Sequence, residues 1–184
     1  VRSEEQAAAR VQRFLEEVGI DDRVDLSSVS NRKGSPWGVE NYRVETENKN
    51  SFTVNAVTGA VTGSQQSAEE TRRKRKDTDV RHYRSDEEVW VAAERVLELA
   101  GLGYLGLKRE EMKWYERRSG GLIDKFNKGT RVVAKFEARI EPYKGPVNDA
   151  NVMFDTVDGS LLAVRATTFW KFDPPKRVMP KAEA

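Results

Sequence analysis

Apolar residues fall at Ala7, Val11, Phe14, Leu15 and Val18, and again at Val89, Ala93, Val96, Leu97 and Ala100. Steps of four, three, one and three keep one face of a 3.6-residue period apolar, so each stretch predicts an amphipathic helix. Ser3 with Gln6, and Ser85 with Glu88, have the spacing of a capping box, in which side chains satisfy the orphan amides of a helix start. Gly19 and Gly101 follow the last apolar position of each stripe, where a helix commonly ends. After each helix the pattern changes to a period of two. Tyr42, Val44 and Thr46 alternate with Asn41, Arg43 and Glu45, then residues 47–50 read as a polar turn, and Phe52, Val54 and Ala56 share a face of the next strand. Further on, Val132, Ala134, Phe136, Ala138 and Ile140 alternate with Arg131, Lys135, Glu137, Arg139 and Glu141. Residues 144–149, with Gly145 and Pro146, read as the turn, and Val152 and Phe154 begin the return strand. Thr58-Gly59 and Asp158-Gly159 predict tight reversals into a last short strand, because glycine accepts the positive φ that such turns require. An earlier strand is expected at 24–29 and at 112–117.

The two series are one pattern written twice. Residues 3–20 align without a gap on 85–102, at an offset of 82 that pairs Ser3 with Ser85, Arg13 with Arg95, Leu15 with Leu97 and Gly19 with Gly101. FTVNAVTGAV (52–61) aligns on VMFDTVDGSL (152–161) at an offset of 100, so the second copy carries about 18 additional residues between its matched ends. The predicted fold class is α+β: two tandem repeats, each with one N-terminal helix packed on a curved antiparallel sheet of three or four strands, related by approximate two-fold symmetry. The expected boundaries are a first repeat at 1–66, a charged linker at 67–84, a second repeat with an insertion at 85–172, and an extended tail at 173–184.

Composition narrows the class. With 38% hydrophobic and 34% charged residues the chain reads as soluble and globular, and no apolar run nears the roughly 20 residues that span a bilayer. Absence of cysteine excludes disulfides, a thiolate nucleophile and cysteine metal sites. A net charge of +2 carries no global nucleic-acid signature. The chain opens at Val1 rather than Met, as a trimmed or processed product would.

The helix with its terminal glycine, the strand YRVET (42–46) and FTVNAVTGAV (52–61) together resemble the PepSY-type domain, found in propeptides of secreted metallopeptidases and in bacterial envelope proteins. The most characteristic stretch, an apolar strand followed by Asp or Asn, two residues and a turn residue with Gly, falls at 55–59 and at 155–159. A cystatin-like fold would give the same order of elements. The resemblance implies an extracellular or cell-envelope location and a non-catalytic role, restraining or scaffolding a partner protein such as a protease.

Candidate chemistry is sparse. His82 is the single histidine and no G-x-S-x-G elbow accompanies it, so a serine triad has no support and a solvated or capping role is expected. Asp155 and Asp158 read as turn residues bonding their own backbone rather than as cation ligands. Glu110-Glu111 and Glu137/Glu141 offer carboxylates, but spacing selects no catalytic pair. No catalytic residue, metal site or cofactor is expected. Arg72, Arg73, Lys74, Arg75 and Lys76 form a basic run suited to a polyanion, whose binding would weaken steeply with salt; acidic neighbours at Glu69, Glu70, Asp77 and Asp79 favour a solvated linker instead. Nucleic acid is thus a disfavoured partner, and a membrane surface stays open. A ligand-binding or enzymatic cystatin-like domain, with a pocket between sheet and helix, is the third reading. For protein binding the candidates are Trp90, set one residue off the helix stripe where the first repeat has Ala8, together with Trp114, Tyr115 and Phe126 in the inserted segment.

Overall fold

The structure, a computed structural model, describes residues 3–32, 40–65, 82–83, 85–115, 131–139, 146–156 and 158–168. Phe126, Trp37, Trp170, the basic run 72–76 and the expected tail at 173–184 lie outside them.

Helix α1 spans Glu4–Val18 and helix α2 spans Asp86–Leu99. The caps are built as the sequence predicts: Ser3 Oγ accepts from the Gln6 amide at 3.2 Å and Ser85 Oγ from the Glu88 amide at 3.3 Å. At the other ends, Gly19 and Gly101 take φ of 74° and 76°. These let the next amide turn back, Ile20 onto the Leu15 carbonyl and Leu102 onto the Leu97 carbonyl, both at 2.9 Å.

The strands are β1 (Ser30–Arg32), β2 (Asn41–Glu45), β3 (Ser51–Asn55), β4 (Val61–Gln65), β5 (Lys108–Tyr115), β6 (Arg131–Arg139), β7 (Pro146–Asp155) and β8 (Leu161–Thr168). They form one antiparallel sheet in the order β1-β2-β3-β4-β8-β7-β6-β5. The protein is therefore α+β, and its described residues form two α-helices and a single eight-stranded sheet rather than a separate sheet for each helix. The reason is edge satisfaction. Alone, β4 and β8 would each present unpaired amides and carbonyls, and pairing them removes both edges.

The join has a particular register: Gly63 faces Arg165, Ser64 faces Val164 and Gln65 faces Ala163. Val164 lies 100 residues after Ser64, the offset at which the two hairpin sequences align. The Val164 amide also donates to the buried Ser64 Oγ at 2.8 Å. Irregularities fall at equivalent places too, between Thr53 and Val54 in one hairpin and between Met153 and Phe154 in the other.

Both helices lie on one face of the sheet and share one core. Val11, Phe14 and Leu15 of α1, with Val89 and Ala93 of α2, pack on Val44, Val54, Val132, Ala134, Val152 and Val164. Alternation decides which strand residues take part, since successive side chains point to opposite faces.

Three expectations are corrected. Residues 24–29 do not form a strand. Val24 makes only an isolated bridge to Thr46, and Asp25 Oδ1 caps a 3-10 turn at Leu26–Ser28 by accepting from the Ser27 amide at 3.0 Å, which delays β1 to Ser30. Strand β7 starts at Pro146, not near Val152, because the long partner β6 supplies a ladder as far as Arg139. Finally, Tyr83, drawn into the linker from sequence, is a core residue. Its ring lies 5.3 Å from Phe154, and the His82 amide is anchored on the Thr156 carbonyl at 2.7 Å.

Arg10 ties the two halves together. From α1 its Nε donates to the Gly59 carbonyl at 3.1 Å and its Nη2 to the Leu99 carbonyl, at the end of α2, at 2.5 Å. Burial pushes its pKa down from the ordinary arginine value, yet a guanidinium stays protonated in proteins. A cation here also meets the negative end of the α2 dipole.

Candidate functional site

Strand β5 is the long edge of the sheet. It is eight residues long and pairs with β6 on one side, with an irregularity between Arg109 and Glu111, and no described strand pairs with the other side. The opposite edge, β1, has three described residues. An unpaired edge is a template for another chain, and charged residues such as Lys108, Glu110, Glu111 and Lys113 are the usual means of blunting it.

The aromatic candidates cluster here but not as one patch. Trp114 turns toward the helices, where its indole N–H donates to Asp86 Oδ1 at 2.6 Å, and Tyr115, the next residue, turns to the open face. There it faces Arg131 across the ladder, with the guanidinium 4.8 Å from the ring centroid. Tyr115 is 42% exposed and Trp114 half-buried.

Trp90 is no free anchor. Its ring meets Phe136 edge to face at 5.1 Å, and Arg109 lies over it with the guanidinium 5.6 Å from the centroid. Arg109 is itself gripped by two carboxylates of α2, Glu94 at 2.6 Å and Glu87 at 2.7 Å. Hydrogen bonding to Arg109 holds the Glu94 carboxyl below the usual range. Trp90 and Trp114 therefore line the seam between α2 and β5, on the opposite side of the sheet from Tyr115.

The chain matches no family model, no curated protein and no solved structure. What the site does is accordingly read from its own geometry.

The open face beside β5 carries a row of charges. Glu137 is covered by its two cationic partners rather than by apolar packing: Lys135 Nζ sits 2.6 Å from Oε1 and Arg139 Nη2 2.8 Å from Oε2. Arg139 reaches on to Glu110 at 3.0 Å. Hydrogen bonds from Lys135 and Arg139 hold the Glu137 carboxyl below the usual range. A carboxylate bonded through both oxygens is held in its charged form and is a poor proton donor. Glu141 lies outside the described residues.

The turns keep their side chains busy. Asn55 Oδ1 accepts from the amides of Val57 and Thr58, each at 2.9 Å, and Asp158 Oδ1 accepts from the Ser160 amide at 2.8 Å. Among the described residues no three His, Asp or Glu side chains gather as a metal site. No described helix is long and apolar enough to cross a membrane. The exposed His82 ring lies over Gly159 and meets Tyr83 edge to face at 4.8 Å.

Two residues that hold the site or the fold escaped the sequence reading, Arg109 and Arg10. Arg109 left no signal, because its partners stand 15 and 22 residues away. Arg10 left one: it is aligned with Ala92 at the offset of 82, a charged residue against a methyl group in otherwise matching helices.

Proposed function

We propose that this protein is a tandem of two copies of one PepSY-like α+β unit, acting as a non-catalytic binding module that restrains or scaffolds a partner protein, with a secreted or envelope protease as the partner class. Support for the two copies comes from matching caps, matching hairpin irregularities and the register that pairs Ser64 with Val164. The observation that carries the binding role is the eight-residue edge of β5, which no described strand covers, with Tyr115 exposed at its end. An extended partner segment adds to such an edge through main-chain hydrogen bonds, and side chains along it set the choice of partner.

The test is affinity capture from a nuclease-treated extract and secretome of the host, comparing the unaltered protein with Tyr115→Ala at low and high salt. A single protein, a protease above all, held through the salt wash and lost from the variant is the expected result. Capture of nucleic acid or other polyanions alone, released by salt, would overturn the reading and move the function to Arg72–Lys76.

A further inference from the structure

The two copies differ at one well-defined place. In the first, the Arg10 guanidinium bridges the Gly59 and Leu99 carbonyls and packs on Gly101, its Nη2 lying 3.5 Å from where a Cβ would stand. Carrying that arrangement across by the two offsets gives Ala92 for Arg10, Gly159 for Gly59, Glu17 for Leu99 and Gly19 for Gly101. All four line one cavity of about 550 Å³ between the end of α1, the face of α2 and the turn before β8. A methyl group on Gly19 would meet nothing within 4 Å, so no side chain stands against it as Arg10 stands against Gly101.

We propose that this cavity is a guanidinium-binding site. It repeats the carbonyl pair that already holds a guanidinium elsewhere in the molecule, with Ala92 leaving room for one supplied from outside. The negative end of the α1 dipole faces the cavity, and Glu17 and Asp21 add two carboxylates to its lining. Phe154, Leu161 and Val96 offer apolar walls to the methylene stem of an arginine side chain. Tyr83 donates to the Gly159 carbonyl at 3.3 Å, which leaves that oxygen a second lone pair. Among the described residues that line it the one cation, Arg95, is two-thirds exposed and paired with Glu98 at 3.6 Å. This site takes its template from the two-copy reading but does not require the β5 edge.

Titration of the intact protein with N-acetyl-L-arginine amide, followed by amide NMR, is expected to move Gly19, Ile20, Gly159 and Ser160 saturably. The citrulline analogue keeps the shape and loses the charge, so it should bind at least about tenfold more weakly. Ala92→Arg, which supplies the group in cis, should abolish the titration and raise the thermal midpoint. The peptide Gly-Arg-Gly distinguishes the sources: binding about tenfold tighter than the amide assigns the site to a partner's arginine, and equal binding assigns it to a free guanidinium compound. Equal binding of arginine and citrulline amides, or no saturation at those four amides, overturns the proposal. The titration decides this even if Ala92→Arg does not fold, and its failure would leave the two-copy reading standing on its caps and register.

Discussion

Replacing Arg10 with alanine removes both hydrogen bonds that fasten the turn before β4 and the end of α2 to α1. A hydrogen bond to a charged group contributes about 1.5–3 kcal/mol net, and truncating one partner leaves the other unsatisfied to the extent that water cannot reach it. Arg10 is only half-buried, so water recovers part of the loss, and about 2–4 kcal/mol is the expected sum for the pair. With a urea slope of about 2 kcal/mol per molar, the unfolding midpoint should fall by about 1–2 M at unchanged slope. Arg10→Lys should recover less than half, because one ammonium on a flexible stem does not reproduce the fixed fork of donors. Arg13→Ala is the control. Arg13 is exposed and paired with Glu17 only at 3.9 Å, so its loss should cost under about 0.5 kcal/mol. An Arg10→Ala midpoint indistinguishable from that of Arg13→Ala would refute the bracing argument.

Two further outcomes follow from other sites. Gly159 and Gly19 share a φ of 74°, so alanine at either should cost about 1–2 kcal/mol of backbone strain. At Gly159 the new methyl also collides with the His82 ring, so urea unfolding should show the larger loss there, partly restored in the double variant with His82→Ala; equal losses would disprove the contact. The Tyr83 hydroxyl is pushed up from 10.0 to about 12, by burial first and by the Asp158 charge second. Its folded value is raised, so its contribution to stability is complete below pH 10 and is lost as pH climbs toward about 12. The tyrosinate absorbance that disappears in Tyr83→Phe should therefore rise near pH 12 in the folded protein, and a step near 10 would contradict the burial.

Local chemistry was legible in the chain and long-range pairing was not. Ser3, Ser85, Gly19 and Gly101 act within a turn of their own positions, and the structure uses each as its neighbours imply. The alternation in β2, β3 and β6 is equally local. Residues 144–149 read as a turn because Gly145, Pro146, Asn148 and Asp149 favour turns, yet from Pro146 onward β6 presents a ladder that overrides those preferences. Asp25 and Ser27 misled in the reverse sense, their side-chain bond ending a stretch whose apolar pattern suggested a strand. Trp114 and Tyr115 stand side by side in the sequence as binding candidates, but adjacent strand residues face opposite ways. The cavity was hidden for a different reason. A space is defined by the side chain that is too short to fill it, and only the alignment of Ala92 with Arg10 marks that place.

The pairing of β4 with β8 about Ser64 and Val164 is the contact that two separate chains would make on meeting edge to edge. Here both strands belong to one polypeptide, so closing the seam is a first-order event governed by loop entropy, which grows only slowly with the length of chain between them. Dilution does not weaken such a seam. Its cost is kinetic instead: a strand pair 100 residues apart forms late, and until it forms β4 and β8 remain open to the same strands of a neighbouring chain. Concentration during refolding should therefore decide how much of the protein closes on itself and how much exchanges strands with another copy.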